Sequence, residues 1–289
     1  MGTRFEIFMS GSDAVQLRAL AEEAWREVER LDSEWSRFRK RSEVARVNRG
    51  AFRARVRVGA ELMELLMRVD ALHWRMARCF DPAAVVGFAG AWGSVELDPV
   101  GRTVRFRDER VRLDLGAIGK GHAVDEVVDL LRGGGVESAL VHAGRSSVAG
   151  FGRDWRVGIP RLDAALAGLS AVDLGASTED VWLLREVILR DGALGISATW
   201  APSDEQIEVS LRRPHLLDPR TGGFVEGLSM GLVSTRSAAD ADALATAVVV
   251  GGEPLQRQLA SDEDGVRSLR VTTGLGGGLL TEINYDFWD

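Results

Sequence analysis

Lys120 is one of two lysines among 36 basic residues, and it lies in Leu113-Asp114-Leu115-Gly116-Ala117-Ile118-Gly119-Lys120-Gly121-His122-Ala123-Val124-Asp125. Elsewhere the chain meets nearly every need for positive charge with arginine. A lysine kept between two glycines suits a task for a compact, flexible ammonium rather than a planar guanidinium. The flanking glycines let backbone or ligand approach closely. The competing reading is a lysine that merely occupies a strand-to-helix turn. The segment is not a Walker loop, which needs wider glycine spacing and a Ser or Thr after the lysine, where Gly121 and His122 stand here. Such a lysine can still meet an anion, because a helix N-terminus offers unpaired N–H groups and a positive dipole.

Asp242 and Thr246 lie four apart in Asp240-Ala241-Asp242-Ala243-Leu244-Ala245-Thr246, on one face of a predicted helix. A carboxylate beside a hydroxyl is a hard oxygen pair suited to Mg²⁺. An Asp near a helix start is equally a cap or dipole partner. His215-Leu216-Leu217-Asp218-Pro219-Arg220-Thr221-Gly222 places a histidine before a turn. That histidine could accept a proton near neutral pH, or be structural or solvated. Phe80-Asp81-Pro82 ahead of Trp92-Gly93 reads as a strand end and a core tryptophan, or as part of a site, and Ser36 to Asn48 has the same ambiguity. The four histidines, His73, His122, His142 and His215, form no metal motif by spacing.

Net charge is −7 and the pI about 5.3, which argues against a nucleic-acid surface. The arginines are dispersed, apart from a cluster at Arg37-Phe38-Arg39-Lys40-Arg41. Cys79 stands alone, so neither an intramolecular disulfide nor a cysteine-rich metal site can form. No apolar run approaches the roughly 18 residues of a membrane span. Met1-Gly2-Thr3-Arg4-Phe5 shows no secretory leader, which makes the cytoplasm the expected compartment unless a leader has been removed.

The elements that must position these residues follow from periodicity. A strand is expected over 3–9, then a helix capped by Ser12 or Asp13 with Leu17, Leu20, Ala21, Ala24, Trp25, Val28, Leu31 and Trp35 inward. A second helix is expected over about 60–78, with Leu62, Leu65, Leu66, Val69 and Leu72 inward. Thr103–Arg107 and Val111–Leu115 read as a hairpin that delivers the Gly-Lys-Gly turn. A helix carrying Ala123, Val124, Val127, Val128 and Leu131 follows, stopped by Gly133-Gly134-Gly135. Strands are expected at 138–142, 155–159, 184–190, 206–212, 229–235 and 268–273, with a last helix over 237–250 ending at Gly251-Gly252. Residues 161–182 are the least patterned and read as a surface segment. Paired strands with irregularly interposed helices indicate an α+β class.

The order of these stretches resembles the ApbE family of FAD:protein FMN transferases, from Met1 to about Gly252. The stretches are Met1-Gly2-Thr3, Leu31-Asp32 with Ser42-Glu43 and Asn48, and Phe80-Asp81 ahead of Trp92-Gly93. Leu113 to Asp125, Ala139-Leu140-Val141 with Ala143-Gly144, and Trp155 to Pro160 continue the series. His215 to Gly222 and Ala241 to Thr246 complete it. The resemblance implies a single α+β domain over 1–289, of layered antiparallel sheet and helices related to the T-fold, with FAD between two lobes. It implies Mg²⁺ held by Asp242, Thr246 and the Ala117 carbonyl. Lys120, Asp114 and Cys79-Phe80-Asp81 would contact FAD, while Met1, Phe38 and Leu216 would line the flavin pocket. His215 would help activate an acceptor hydroxyl.

The activity implied is Mg²⁺-dependent transfer of FMN from FAD to a Ser or Thr of a partner protein, releasing AMP. Departures from the family pattern leave two alternatives: an FAD pyrophosphatase giving FMN and AMP, and a non-catalytic FAD-binding protein. Gly144-Arg145-Ser146 stands where Gly-Gly-Asp is usual, and Ser197-Ala198-Thr199-Trp200 where Thr-Ser-Gly is usual. Phe38 replaces a common tyrosine, and Cys79 a common alanine.

Overall fold

The computed structural model describes residues 3–160, 183–199, 216–262, 265–273, 280–285 and 287. Elements are numbered in chain order. The main sheet runs β1 (Phe5–Ser10), β5 (Ser138–Ala143), β6 (Ser147–Phe151), β9 (Gly192–Ala198), β12 (Ser229–Thr235), β13 (Arg267–Thr273), β14 (Leu280–Tyr285). Every neighbouring pair is antiparallel. Alternation along the strands gives the sheet two different faces. Val141, Ala149 and Ala193 face α1 (Ala14–Trp35) and α4 (Gly119–Gly133), which contribute Ala24, Val28, Val124, Val127 and Leu131. Val148, Leu194, Leu232 and Leu269 face the other way, onto a hairpin of β7 (Trp155–Pro160) and β8 (Leu183–Leu189).

A second core joins α2 (Glu43–Gly50), α3 (Ala60–Arg75) and a three-stranded sheet in the order β2 (Val56–Arg57), β4 (Thr103–Phe106), β3 (Val95–Asp98). Leu62, Leu65, Leu66, Val69 and Leu72 are all buried in it, as their spacing predicts. Each such side chain contributes about 1.5–3 kcal/mol. Between the two cores runs α5 (Ala238–Ser261), interrupted at Gly252 and resumed around Pro254. Ala238 and Ala241 face the first core, and Ala239, Ala243, Leu244, Ala247 and Val248 the second. A helix so surrounded needs small side chains, and the alanine-rich sequence supplies them. Among the described residues no helix is long and apolar enough to cross a membrane.

Several expectations meet their elements closely: Asp13 caps α1, β12 spans 229–235, and α5 breaks at Gly252. Others need correction. Trp25 is 51% exposed because it lies at the margin of the α1 stripe, which Leu17, Leu20, Ala21, Ala24 and Val28 define. The expected hairpin forms between β3 and β4, not between 103–107 and 111–115. The reason is that Asn48 takes both main-chain groups of Leu113, donating to its carbonyl at 2.9 Å and accepting its N–H at 2.7 Å. Helix α2 arises within the ambiguous stretch, capped by Ser42, whose hydroxyl accepts the Ala45 N–H. Strands β6 and β9 carry too many small residues to read as strands. At Gly195 a Cβ would collide with the Ala241 main chain, so only glycine lets α5 lie this close to the sheet. The strand expected at 206–212 and the segment 161–182 fall outside the described residues.

Candidate active site

The site is built around a buried carboxylate. Asp242, in the second turn of α5, is 4% exposed. Its Oδ1 accepts the Ser147 hydroxyl from β6 at 2.7 Å. Its Oδ2 accepts the Gly121 N–H at 3.1 Å and lies 3.4 Å from Lys120 Nζ. Burial pushes the Asp242 carboxyl above the usual carboxylate range, opposed by the Lys120 charge and by the Ser147 and Gly121 donors. Thr246 stands one turn further on, its hydroxyl 3.2 Å from Ser197 Oγ on β9 and 3.3 Å from the Asp242 carbonyl.

What sets α5 at this height is a second, half-buried carboxylate. Asp125 of α4 accepts the Ala238 N–H at 2.7 Å, the Ala239 N–H at 3.0 Å and the Ser237 hydroxyl at 2.7 Å. It therefore caps α5 from the side, supplying acceptors that the first turn of a helix lacks. Arg68 of α3 joins them, donating to Ser237 Oγ at 2.6 Å and to Asp240 Oδ1 at 2.8 Å. Burial raises the Asp125 carboxyl as well. Where the two helices cross, a Cβ on Gly121 would collide with the Ala238 carbonyl, so α4 and α5 meet backbone to backbone.

The turn before α4 supplies the remaining pieces. Asp114 caps a short 3₁₀ turn, Leu115–Ala117, by accepting the Gly116 N–H at 3.0 Å. Its own N–H donates to the Pro82 carbonyl at 2.7 Å, and Arg37 Nε lies 2.9 Å from its Oδ2. Lys120 Nζ donates to the Gly116 carbonyl at 2.5 Å. The Gly121 N–H, which would ordinarily close the helix onto the Ala117 carbonyl, is turned to Asp242 instead. Among the described residues, the Ala117 carbonyl thus lacks its usual helical partner, four residues before the N–H that Asp242 holds. Carboxylate, hydroxyl and main-chain carbonyl form an all-oxygen donor set of the kind that hard divalent cations take, with no soft ligand to favour zinc. The residues present thus fit Mg²⁺.

Cys79 and Phe80 are built into the core, 2% and 1% exposed. The Phe80 carbonyl is bonded to His73 Nδ1 at 2.7 Å, and burial pushes the Cys79 thiol up. Asp81 uses its two oxygens on the Ala83 and Trp92 N–H groups, at 2.7 and 2.9 Å, and burial raises it too. These three residues shape the wall from behind. Leu216 is half-buried and its carbonyl accepts the Val225 N–H. The turn after it, between β10 (Leu217–Asp218) and β11 (Gly223–Phe224), bonds to the same wall through Gly87 N–H to the Gly222 carbonyl and Gly90 N–H to the Pro219 carbonyl. Phe38 is 79% exposed, with the Arg37 guanidinium 4.3 Å above its ring. Met1 and His215 lie outside the described residues. The structure therefore gathers Asp114, Ala117, Lys120, Asp242 and Thr246 directly, with Cys79, Phe80, Asp81 and Leu216 behind or beside them.

Ser147, Ser197 and the capping role of Asp125 escape sequence reasoning. Ser147 and Ser197 lie on the two strands whose small residues hide them. Asp125 follows Lys120 at a spacing that is suggestive only once α5 is known to cross α4. A different acidic group, Glu27, Glu61 and Glu126, lies between α1, α3 and α4. Arg30 binds Glu27 and Glu61 there through both arms of its guanidinium, so two of the three carboxylates already share a cation.

A model of the ApbE family matches residues 1–269. A FAD:protein FMN transferase of Rhodobacter capsulatus is 31% identical over 242 residues, which are 73% of this chain and 42% of that protein. One of Treponema pallidum is 30% identical over 176 residues, 58% of this chain and 46% of the relative. The chain thus spans under half the length of these two relatives. Among solved structures, an ApbE protein of Thermotoga maritima superposes with a TM-score of 0.76 at 21% identity, over 99% of this chain and 100% of that one. The flavinyl transferase ApbE of Pseudomonas stutzeri, in its apo form, gives 0.72 at 20% identity, over 99% and 96%. These likenesses establish the α+β fold.

Proposed function

Because the chain belongs to the ApbE family, we propose that it transfers FMN from FAD to a Ser or Thr hydroxyl of an acceptor protein, with Mg²⁺, and releases AMP. The observation that carries this reading is Asp242: a carboxylate buried in a central helix, 3.4 Å from Lys120 Nζ. A buried charge is costly unless it is paired or coordinates a cation. Asp242, Thr246 and the Ala117 carbonyl would hold Mg²⁺, which when bound offsets the negative charge of the pyrophosphate oxygens.

In this reaction the acceptor oxygen forms a bond to the phosphorus that carries the riboflavin side. The bond from that phosphorus to the bridging oxygen breaks, and AMP leaves with that oxygen. Lys120, a compact cation at a helix N-terminus, is placed to offset charge developing on the departing phosphate. Asp114 and Arg37 hold the turn that presents Lys120 and Ala117. The acceptor hydroxyl is weak at its free pKa and needs a base. His215 is the residue we assign to that proton.

The test is titration of FAD into the protein with and without Mg²⁺, with AMP measured in the same samples. Mg²⁺-dependent AMP release that an Asp242→Ala change abolishes, with circular dichroism unaltered, supports Asp242 as the metal-holding carboxylate, and its dependence on an added acceptor protein supports transfer. Undiminished release by that variant would sink it. Ser146 stands where an acidic residue is usual in the family, and the alternative reading takes water rather than an acceptor hydroxyl as nucleophile. Full turnover of FAD without any acceptor would establish that hydrolytic reading.

A further inference from the structure

Between Arg37 and Arg53 the chain carries seven basic residues and one acidic residue, in a protein of net charge −7. Elsewhere exposed arginines are commonly paired, as Arg26 is with Glu22 and Arg190 with Asp154. Within the stretch, Arg37, Arg39 and Arg46 are paired with Asp114, Asp32 and Glu43. Lys40, Arg41 and Arg53 are exposed, and among the described residues no carboxylate meets them. Arg49 donates to the Lys40 carbonyl at 2.7 Å, and Arg112 to the carbonyls of Glu109 and Val111, so both keep an uncompensated charge.

Chain neighbourhood and local contacts hold these cations in one region: Arg41 follows Lys40, and Arg53 closes a turn after Arg49 by donating its N–H to the Gly50 carbonyl. Arg49 ties α2 to the loop at Lys40, the neighbouring Asn48 grips Leu113 beside Arg112, and Arg37 binds Asp114. Through Arg37 and Asp114 the stretch borders the turn that presents Ala117 and Lys120, and the exposed Phe38 lies against Arg37. Like charges held together repel, so the arrangement lowers the stability of the chain alone and creates a local positive field.

We propose that this basic rim docks an acidic segment of the acceptor protein and guides its hydroxyl to the site; the inference rests on the transferase reading above. Rim charges of this kind act mainly on association rate and its salt dependence. A protein segment suits the place better than an anionic bilayer. In the transferase reading the acceptor must bring its hydroxyl to the turn of Ala117 and Lys120, and an acidic chain segment crossing this rim does so.

The test compares two fluorescein-labelled dodecapeptides with a central threonine, one flanked by Asp and Glu and one by Asn and Gln, together with phosphatidylglycerol vesicles. Binding to the full chain is read by anisotropy and by co-sedimentation. The expected result is binding of the acidic peptide at least about tenfold tighter than the neutral one, weakening with salt. The triple change Lys40→Glu, Arg41→Glu, Arg53→Glu removes that preference. The milder Lys40→Gln, Arg41→Gln, Arg53→Gln reduces it and guards against misfolding. Equal binding of both peptides, or an acidic preference that survives the triple change, overturns the proposal. So does vesicle binding in which the triple variant fails while the acidic peptide never binds. FAD binding and AMP release by the same variants separate the two readings. If they proceed while peptide preference is absent, the rim proposal alone fails. If FAD does not bind yet the preference is present and lost in the variants, the rim stands and the transferase reading falls.

Discussion

Replacing Asp125 by alanine removes the cap that α4 gives α5. Two main-chain N–H groups, on Ala238 and Ala239, and the Ser237 hydroxyl lose their acceptor, and both alanines are 0% exposed. Each buried donor left unpaired costs about 1–3 kcal/mol, and loss of a helix cap alone about 0.5–2 kcal/mol. Relief from burying a carboxylate offsets part of this, because burial already raises the Asp125 carboxyl. The net expectation is a loss of about 3 kcal/mol, read as a lower urea midpoint at unchanged slope. Because the disturbed turn precedes Asp242 and Thr246 on the same helix, half-saturation of AMP release by Mg²⁺ should also rise, by about tenfold. Asp125→Asn keeps one acceptor oxygen and should fall between the two. A loss below about 1 kcal/mol for the alanine variant, at an unaltered Mg²⁺ requirement, would refute the idea that this cap sets the height of α5.

Further outcomes follow from the same geometry. Lys120→Arg should reduce AMP release by about 10²-fold despite conserved charge, since a planar fork cannot take the place of a compact ammonium; rates within threefold of the parent would show that charge alone suffices. Gly121→Ala should cost about 3 kcal/mol or more, because the added carbon strikes the Ala238 carbonyl, and a denaturation midpoint like the parent's would contradict that crossing. The Cys79 thiol, 2% exposed and pushed up by burial, should react with a disulfide reagent at pH 8 far more slowly than free cysteine until urea unfolds the chain. The Asp125 carboxyl sits above its ordinary value of 3.8, so the folded state holds that proton more tightly than the unfolded one. Its contribution is then greatest below that value and declines as pH climbs through the raised one. Asp125→Asn lacks this decline, so the stability gap between parent and variant should narrow from pH 3 to pH 7; a constant gap would argue that Asp125 is not raised.

Periodicity alone determined much of the helical scaffold. The inward stripe of α3, the Asp13 cap of α1 and the glycine break in α5 are local facts, set within a few turns of chain by side-chain spacing and backbone freedom. The chemistry-bearing types were legible too, since a lysine between glycines and an Asp four before a Thr are conspicuous wherever they occur. Tertiary structure decided what lies between these pieces. Strands β6 and β9 owe their existence to neighbours rather than to propensity, because α5 presses so closely on the sheet that only small residues fit, and small residues carry little strand signal. Leu113 pairs with a side chain 65 positions away, so an alternating pattern that reads as a hairpin becomes the approach to a turn. Ser147 meets Asp242 across 95 positions and Asp125 meets Ala238 across 113, separations over which no spacing rule operates. The sequence determines which groups could do chemistry; the crossing of α4 and α5, made possible by a glycine without a side chain, brings them to one place.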